Sequence, residues 1–519
     1  MSDKKPRYIT TTLPYVNAEP HIGFGYELVV ADTLARHWRL QGHEVFFTTG
    51  TDEHGQKIAE KADSESVPRQ QYVDTYAAKF AELKGALNIS NDNFIRTTDA
   101  THKAAAQAIW NKCLAKGDIY KKTYKGLYCV GDEMFLRDSD LVNGRCPNHP
   151  NVDPVEIEEE NYFFKLSEYQ TKLTKYLSDP TRTLSESYRT WALQFVTAGL
   201  EDLSISRSKK RMDWGIDVPG DDEHVMYVWF DALTNYISTL GWPEDAAGNF
   251  KKFWVEGETV QLAGKDQVRF QSIIFQAMLM SADVPTTDTI CYHGFINSGG
   301  QKMSKSLGNV ISPYELVARY GTDATRYLLL RHVHPFDDTD VTWDRLDEWY
   351  TADLVNGLGN LVARVMKMAE THVEKPDYLD YDEAYKLVSQ QAQILVPRHD
   401  NQISVQYKTE IDNFLLQDSI DLIWAHIQLI DEEITKSEPF KVIKTNPEEA
   451  KKIIIKLRSD LTEVALLVLP FMPYTAKIIL EAIAQNKKPE NLFNRLPLKT
   501  ESIAFKIDGG NANLQIDGK

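Results

Sequence analysis

Short apolar runs and one amphipathic stretch alternate in the first part of the chain. Residues 8–13 and 44–49 are β-prone runs, and residues 25–38 repeat apolar side chains at helical spacing. Strand, helix and strand form a βαβ unit, which predicts a parallel sheet. Ligands bind beyond the carboxyl ends of such strands, and residues 12–15 and 51–54 lie at those ends.

The pattern changes twice further along the chain. Residues 119–222 contain short strands, turns and charged stretches, and alternating strand and helix resumes at residue 226. We therefore expect an insertion between two halves of one sheet domain. After about residue 345 the spacing becomes helical, which predicts a helical bundle. Apolar residues there recur at intervals of three and four, at Leu354, Leu358, Leu361, Val365 and Met368.

Composition narrows the class of protein. With 519 residues, of which 42% are hydrophobic, the chain is long enough for roughly three domains. It starts without the apolar core of a signal peptide, and its best apolar run, residues 464–472, is far below the roughly 18 residues that a membrane span needs. Four cysteines in a chain of this length do not make a disulfide framework. We therefore expect a cytoplasmic protein without membrane contact.

The net charge of −17 argues against a protein that coats nucleic acid by bulk attraction. Local basic faces at residues 209–211 and 441–458 are compatible with this charge, although such runs are also typical of solvated helix faces. Charge alone therefore leaves the partner open.

Two short signatures far apart in the chain indicate one ATP site. Pro-His-Ile-Gly-Phe at residues 20–24 puts an imidazole and a glycine where an extended segment meets a helix, whose first amides suit an anion. Lys-Met-Ser-Lys-Ser at residues 302–306 puts two ammonium groups and two hydroxyls after a hinge at Gly299 and Gly300. Such a segment suits a loop that closes over phosphates.

Two familiar nucleotide-binding motifs are absent. Residues 23–28 begin like a dinucleotide fingerprint, but Leu28 stands where the third glycine allows close helix packing. Residues 50–56 have the spacing of a phosphate-binding loop, but Gln56 occupies the place of its lysine.

The insertion contains two pairs of metal-ligating residues. Cys129 with Asp132, and Cys146 with His149, have the spacing of a zinc knuckle, in which each pair wraps one side of a tetrahedral ion. A carboxylate in place of a thiolate lowers the affinity for zinc. A metal-free remnant, in which Asp132 and His149 are surface polar residues, is the alternative.

An ordered set of motifs extends over nearly the whole chain. They are Thr-Leu-Pro-Tyr at 12–15, Pro-His-Ile-Gly at 20–23, Gly-Thr-Asp-Glu-His-Gly at 50–55, Tyr-Phe-Phe at 162–164, Asp-Leu-Ser-Ile-Ser-Arg at 202–207, Val-Trp-Phe-Asp-Ala-Leu-Thr-Asn-Tyr at 228–236, Gly-Lys-Asp at 264–266 and the signature at 302–306. With this set the chain resembles the methionyl-tRNA synthetases, a class I family. The resemblance implies an α/β fold. A Rossmann-type parallel sheet would be split by a connective insertion and followed by an α-helical anticodon-binding bundle.

On this resemblance we expect six segments. They are the first half of the Rossmann catalytic domain at 1–118, the connective insertion with the knuckle at 119–222, the second catalytic half at 223–295, the KMSKS loop and stem-contact region at 296–345, the helical anticodon-binding domain at 346–500 and a short tail at 501–519.

The resemblance also implies the reaction. L-methionine would attack the α-phosphate of ATP to give methionyl adenylate, and the acyl group would pass to the terminal ribose of tRNA(Met). The nucleophile comes with the substrate, so the protein need supply only alignment and charge stabilisation, with Mg²⁺ held largely by the phosphates. The catalytic donors would be His21, Lys302 and Lys305. The full ATP site would be His21, Gly23, Phe24, Lys302, Met303, Ser304 and Lys305.

The methionine site implied by the family motifs has three parts. Asp52 and the Leu13 backbone would receive the ammonium group, and Arg207 stands where the family has an active-site arginine. Aromatic edges would surround the polarizable thioether. The full set is Thr12, Leu13, Tyr15, Asp52, Arg207, Trp229, Ala232, Leu233, Tyr236, Gln267 and Gln271.

The chain departs from the commonest family pattern in its catalytic part. Phe24 replaces a second histidine, and since a phenyl ring cannot donate to a phosphate, a backbone amide would have to supply that contact. Gln267 and Gln271 stand where isoleucine and histidine are common, which makes the pocket more polar. Their amides would hydrogen-bond to the Tyr15 hydroxyl or to the substrate.

The helical domain carries the residues expected to read the anticodon. Asn360 and Arg364 fall in an Asn-Leu-x-x-Arg motif, four residues apart on one helical face, and Phe440 replaces an anticodon-facing tryptophan. The alternative for the first two is an ordinary polar stripe. Since the chain stops soon after this domain, we expect a monomer.

Other functions fit parts of the sequence. A leucine, isoleucine or valine synthetase would carry a larger editing insertion, and a cysteine enzyme would need a thiolate metal site in its pocket. A nucleotidylyltransferase would share the first signature but would not need the helical domain. A catalytically inactive tRNA-binding protein is the alternative that Phe24 raises.

Overall fold

The centre of the protein is a six-stranded sheet in which every pairing is parallel. The computed structural model describes residues 4–129, 134–136, 140–147, 150–303, 308–376 and 401–497. In spatial order the strands are Asn93–Arg96, Val45–Thr51, Arg7–Thr10, Glu258–Gly264, Thr289–His293 and Thr183–Leu184. Strands that precede and follow residues 119–222 therefore meet in one sheet, and the short strand at 183–184 adds to its edge.

Hydrophobic cores lie on both faces of this sheet. Tyr8 and Ile9 are consecutive in one strand but belong to different buried clusters, because successive strand side chains point to opposite faces. Helix Ile22–Leu40 packs in the cluster of Ile9, and helix Ala100–Ala115 packs in the cluster of Tyr8. The other helices that surround the sheet are Gln56–Ser64, Arg69–Ala86, Val228–Ala232, Asn235–Ser238, Phe250–Val255, Phe270–Phe275 and Gln276–Ser281.

The segment between the two halves of the sheet forms smaller antiparallel sheets. One contains Met134–Leu136, Ile119–Cys129, Val155–Phe164 and Leu203–Ser204, in that spatial order. The other contains Asp217–Val218, Asp221–Met226 and Ser206–Ser208. The helices of this segment are Leu166–Tyr169, Gln170–Ser178 and Glu186–Thr197.

After the central sheet the chain becomes mainly helical. A three-stranded sheet of Gln301–Lys302, Ile296–Ser298 and Thr339–Asp340 comes first. The helices that follow are Pro313–Tyr320, Thr322–His332, Trp343–Trp349, Tyr350–Gly359, Asn360–His372, Asn401–Asp412, Leu416–Ser437, Pro439–Val442, Pro447–Val468 and Pro473–Gln485.

The observed architecture confirms the predicted fold class, a parallel α/β sheet followed by a helical region. The isoleucines at 420, 423, 427, 430 and 434 are all buried in one helix, as their spacing predicts. No helix within the described ranges combines the length and the apolar character that crossing a membrane requires.

A buried ion pair joins a helix that packs on the central sheet to the helical region. Arg326 and Asp32 are both inaccessible to solvent, and their charged groups lie 2.7 Å apart. Arg326 also donates to the carbonyls of Pro470 at 3.0 Å and Phe471 at 2.8 Å, in the turn between two bundle helices. Burial alone would raise the pKa of Asp32, but the guanidinium groups of Arg326 and Arg36 outweigh it and lower the pKa, so this carboxylate stays ionised.

We predict that Arg326→Leu lowers the free energy of unfolding by about 3 kcal/mol or more, because a buried carboxylate loses a counter-charge and two carbonyls lose their donor. Urea unfolding followed by circular dichroism measures this loss. The control is Arg345→Leu. The Arg345 side chain is 54% exposed, and it contacts the Asp340 carboxylate at 3.7 Å and the Asp340 carbonyl at 2.9 Å, but exposed contacts of this kind contribute little. Equal losses in the two variants would contradict the prediction.

Candidate functional site

The strand order of the central sheet reverses between Arg7–Thr10 and Glu258–Gly264. Val45–Thr51 pairs with the first of these strands, and Thr289–His293 pairs with the second on the opposite side. Because the connections leave in opposite directions, a crevice opens beyond the carboxyl ends of the two central strands. Residues 12–15 leave the sheet at this edge, so the crevice coincides with the ligand site expected from the sequence.

The two signatures meet at the start of the helix that begins at Ile22. The backbone N–H of Ile22 donates to the carbonyl of Ile311 at 3.0 Å. The backbone N–H of Ile311 in turn donates to the sulfur of Met303 at 3.5 Å. Both ends of the loop from residue 303 to 311 are thereby tied to the helix start, while Ser304 and Lys305 lie outside the described residues.

His21 caps this helix. Its Nδ1 accepts a hydrogen bond from the backbone N–H of Gly23 at 3.1 Å. A Cβ atom at residue 23 would lie only 2.9 Å from Cε1 of His21, so glycine is what allows the ring to occupy this position. Because Nδ1 accepts, the neutral ring carries its proton on Nε2, which remains available as a donor.

The surroundings of His21 keep its imidazole neutral. The side chain is open to solvent in the crevice, but partial desolvation by the surrounding protein and then the charge of Lys302 lower its pKa. The carboxylates of Asp266 and Glu27 raise the pKa and do not offset this shift. At pH 7 the ring is therefore a neutral donor beside an ammonium group, which suits an oxyanion.

Phe24 packs in the core. Only 8% of it is exposed, and its ring meets the ring of Phe80 edge to face, with centroids 5.5 Å apart. The side chain therefore adds no polar group to the crevice. Only the backbone of Phe24, in the first helical turn, is suited to an anionic ligand.

Asp52 lies beside the segment that carries Leu13 and Tyr15. The N–H of Asp52 donates to the carbonyl of Pro14 at 3.0 Å, and the N–H of Val16 donates to the carbonyl of Asp52 at 3.2 Å. These bonds extend the parallel pairing of the two strands past the sheet edge. Asp52 is 2% exposed, while Leu13 and Tyr15 are half-buried. The structure thus brings together the residues predicted to hold an ammonium group.

Aromatic side chains line the neighbouring wall. The half-buried Trp229 stacks face to face on Phe270, with ring centroids 3.9 Å apart. The buried hydroxyl of Tyr236 accepts a hydrogen bond from Nε2 of Gln271 at 2.5 Å. Gln271 thus bonds to Tyr236 rather than to Tyr15, and its Oε1 has no hydrogen-bond partner among the described residues. Leaving a buried acceptor without a hydrogen bond costs free energy, so a donor that reached this oxygen would be bound favourably.

Three further residues predicted to contact methionine, Ala232, Leu233 and Gln267, are buried. Ala232 and Leu233 are 5% and 3% exposed and follow Trp229 on the same helical segment. Gln267 is 9% exposed, and its Nε2 donates to the carboxylate of Asp266 at 3.0 Å.

Arg207 is buried at the end of the inserted segment, on strand Ser206–Ser208. Its Nη1 donates to the hydroxyl of Ser204 at 3.1 Å and to the carbonyl of Ser206 at 2.7 Å. The guanidinium lies 4.5 Å from the ring centre of Tyr227 and 5.4 Å from that of Tyr128. Arg207 thus packs against Tyr227, which directly precedes helix Val228–Ala232.

The sequence analysis missed two ionisable residues at the crevice, the buried Glu27 and the partly buried His293. The carboxylate of Glu27 accepts hydrogen bonds from the backbone and hydroxyl of Thr12, and its other oxygen lies 3.0 Å from Nε2 of His293. Burial lowers the pKa of His293, but the hydrogen bond and charge of Glu27 outweigh burial and raise it. This pair fixes Thr12 between a helix and the end of strand Thr289–His293.

A sequence signal for this pair existed. Glu27 is the charged residue in the otherwise uncharged stretch 22–31 of its helix, and His293 ends a strand at the edge where ligands bind. A charged group in such a position indicates a long-range partner.

Half of the predicted zinc knuckle falls within the described residues. Cys129 and Cys146 are 2% and 1% exposed and share one small buried cluster with Leu136. Asp132 and His149 lie outside the described residues. Within the described part of the chain, no group of three or more metal-ligating side chains is present.

The three residues expected to read an anticodon lie on the bundle. Asn360 is exposed, and 49% of Phe440 is exposed. Arg364 is half-buried, and its Nη1 donates to the carboxylate of Asp431 at 2.7 Å.

Comparison with known proteins agrees with this geometry. The model of the family "tRNA synthetases class I (M)" matches residues 7–154 and 149–366. The methionine–tRNA ligase of Rhizobium meliloti (strain 1021) is 38% identical over 493 residues, which cover 93% of either chain. That of Rickettsia bellii (strain RML369-C) is 39% identical and covers 95% of either chain.

Solved structures agree as well. Mycobacterium tuberculosis methionyl-tRNA synthetase in complex with methionyl-adenylate superposes with a TM-score of 0.83 at 34% identity, covering 96% of this chain and 99% of that one. The apo form of the same enzyme superposes with a TM-score of 0.76. Together with the ordered motifs, these similarities show that the chain belongs to the class I methionyl-tRNA synthetases, which join methionine to its tRNA.

Proposed function

We propose that the crevice at the reversal of strand order is where this chain joins L-methionine to AMP and then passes the methionyl group to the terminal ribose of tRNA(Met). The observation that carries this proposal is a pair of hydrogen bonds, from Ile22 to the carbonyl of Ile311 and from Ile311 to the sulfur of Met303, which together connect the two ATP signatures at one helix start. The likeness to a synthetase solved with methionyl-adenylate supports the same location.

Residues at the start of the helix act on the phosphates. The neutral His21 donates from Nε2 to a phosphate oxygen, while Lys302 and Lys305 supply positive charge that offsets the negative charge developing in the transition state. Gly23 leaves the room that the His21 ring and the nucleotide need. Mg²⁺ enters with ATP as part of the substrate.

The wall beside Asp52 holds methionine. A carboxylate that is 2% exposed attracts the ammonium group strongly, since little water competes with it. The stacked rings of Trp229 and Phe270 and the edge of Tyr236 pack on the thioether. The unsatisfied Oε1 of Gln271 accepts a hydrogen bond when a donor enters the pocket.

We predict that two substitutions in the crevice each raise the KM for a different substrate. Asp52→Asn removes the counter-charge of the ammonium group, so KM for methionine should rise at least about tenfold while KM for ATP changes little. Gly23→Ala forces the His21 ring to move, so KM for ATP should rise while KM for methionine changes little. Pyrophosphate exchange into ATP measures both constants.

Each of these variants serves as the control of the other. A Gly23→Ala enzyme that loses methionine affinity, or an Asp52→Asn enzyme that keeps it, would contradict the assignment of the two ends of the crevice.

The knuckle residues fit a structural zinc ion. Cys129 and Cys146 share one buried cluster and would supply two thiolates, and Asp132 and His149 would complete a tetrahedral set. The ion would cross-link the two turns of the insertion. Metal analysis of the purified protein should give about one equivalent of zinc. Less than about a tenth of an equivalent would contradict the proposal.

The bundle would recognise tRNA(Met). Asn360 and Arg364 would bond to anticodon bases, and the exposed ring of Phe440 would stack on one. Unchanged tRNA charging by a Phe440→Ala variant would contradict this role.

We also expect a cytoplasmic monomer, and a sedimentation mass of twice 59.2 kDa would contradict that state.

A further inference from the structure

A buried carboxylate lies between two imidazole rings behind the crevice. One oxygen of Asp231 is 2.7 Å from Nδ1 of His54, and the other is 2.8 Å from Nε2 of His102. Asp231 and His102 are inaccessible to solvent, and His54 is 2% exposed. Nδ1 of His102 lies 2.9 Å from the hydroxyl of Ser238. Both oxygens of the carboxylate are therefore engaged, and none of these groups is assigned a role in the reaction above.

The network connects segments that are far apart in the chain. His54 follows Asp52 by two residues, beyond the end of strand Val45–Thr51. Asp231 lies on helix Val228–Ala232, between Trp229 and Ala232. A single carboxylate thus links the segment that holds the ammonium group to the wall that packs on the methionine side chain.

The segment of His54 is held on its other side as well. The ring of His54 meets the ring of Trp214 edge to face, with centroids 5.8 Å apart. Nε1 of Trp214 donates to the carbonyl of Glu53 at 2.7 Å, and the N–H of Gly55 donates to the carbonyl of Trp214 at 3.1 Å. Since Trp214 clamps residues 53–55 from outside, the bond to Asp231 sets how close this segment lies to the aromatic wall.

Stability alone gives a weak reason for this arrangement. Burying a charge costs desolvation free energy that the interactions with its partners offset only in part. Replacing such a group and its partners by apolar side chains of similar size often leaves a protein equally stable. Burial would raise the pKa of Asp231, but His54 and His102 outweigh it and lower the pKa. The carboxylate is therefore ionised and accepts from both rings. Two short directional bonds fix a separation more tightly than apolar contacts do.

We propose that Asp231, held by His102 and bonded to His54, is a positioning residue that fixes the distance between Asp52 and the wall of Trp229, and thereby determines the affinity for methionine. The proposal rests on the proposed methionine site. It assigns the network no contact with substrate and no proton transfer.

The test compares KM for methionine and for ATP in pyrophosphate exchange. Asp231→Asn keeps the shape of the side chain but removes the negative charge and replaces one acceptor with a donor, so both charge-assisted bonds to imidazole are weakened and one of them loses its acceptor. KM for methionine should rise about tenfold or more, since small displacements of positioning groups have large effects, while KM for ATP and kcat change less than about threefold.

Two variants of His54 test whether a hydrogen-bond donor at this position restores the KM for methionine, which a purely structural role does not predict. An asparagine amide places a donor near the position of Nδ1, so His54→Asn should keep KM for methionine close to that of the parent enzyme. His54→Ala removes the donor and should raise this KM as Asp231→Asn does. If Asp231→Asn does not fold, this pair makes the same comparison.

The control for general destabilisation is His37→Asn. His37 is also inaccessible to solvent and bonds to Gln41 at 2.6 Å, at the opposite end of helix Ile22–Leu40 from His21. This variant should lower the melting temperature but leave KM for methionine unchanged.

Three results would overturn the proposal. They are an unchanged KM for methionine in Asp231→Asn, equal increases in KM for methionine and for ATP, and equal values in His54→Ala and His54→Asn. If Asp52→Asn keeps its methionine affinity as well, the proposed methionine site fails too; if Asp52→Asn loses that affinity, only the positioning role of Asp231 fails.

Discussion

The buried pair of Asp32 and Arg326 is the constraint on which the relation between the two domains depends. Asp32 lies on the helix that begins at Ile22, next to the crevice, and Arg326 binds the turn at Pro470 and Phe471 in the bundle. A charge in an apolar core is tolerated only with its partners in place, so the three elements must pack in one arrangement. The helix that presents His21 is therefore anchored to the bundle that would read the anticodon.

The crevice itself follows from the topology of the sheet. Reversal of the strand order separates the connections, and the segments that leave the central strands bring Thr12, Asp52 and Asp266 to one edge. Two buried carboxylates then fix the positions of the segments that the topology places at this edge. Glu27 holds Thr12 against His293, and Asp231 holds His54 against the aromatic wall. Each of these carboxylates thus holds a segment at the edge of the crevice to a second element of the fold.

Periodicity and motifs predicted the parallel sheet, the inserted segment and the helical bundle, because those features repeat locally along the chain. The first helix begins at Ile22 rather than near Gly25. The side chain of His21 caps its first turn, and the spacing of apolar residues carries no information about such a cap. The burial of Phe24 and the bond from Gln271 to Tyr236 depend on which side of an element faces the core. His293, which pairs with Glu27, and both histidines that pair with Asp231 lie more than a hundred residues away from them in sequence, so a single sequence does not reveal which groups pair.

The most direct measurement is exchange of pyrophosphate into ATP by the purified chain, with methionine, leucine, isoleucine, valine and cysteine supplied one at a time. A site in which the Asp52 carboxylate lies beside stacked aromatic rings predicts pyrophosphate exchange with methionine and negligible exchange with the other four amino acids. Exchange with none of the amino acids, despite tRNA binding, would mean that the crevice is inactive. Equal exchange with another amino acid would contradict a methionine-specific site.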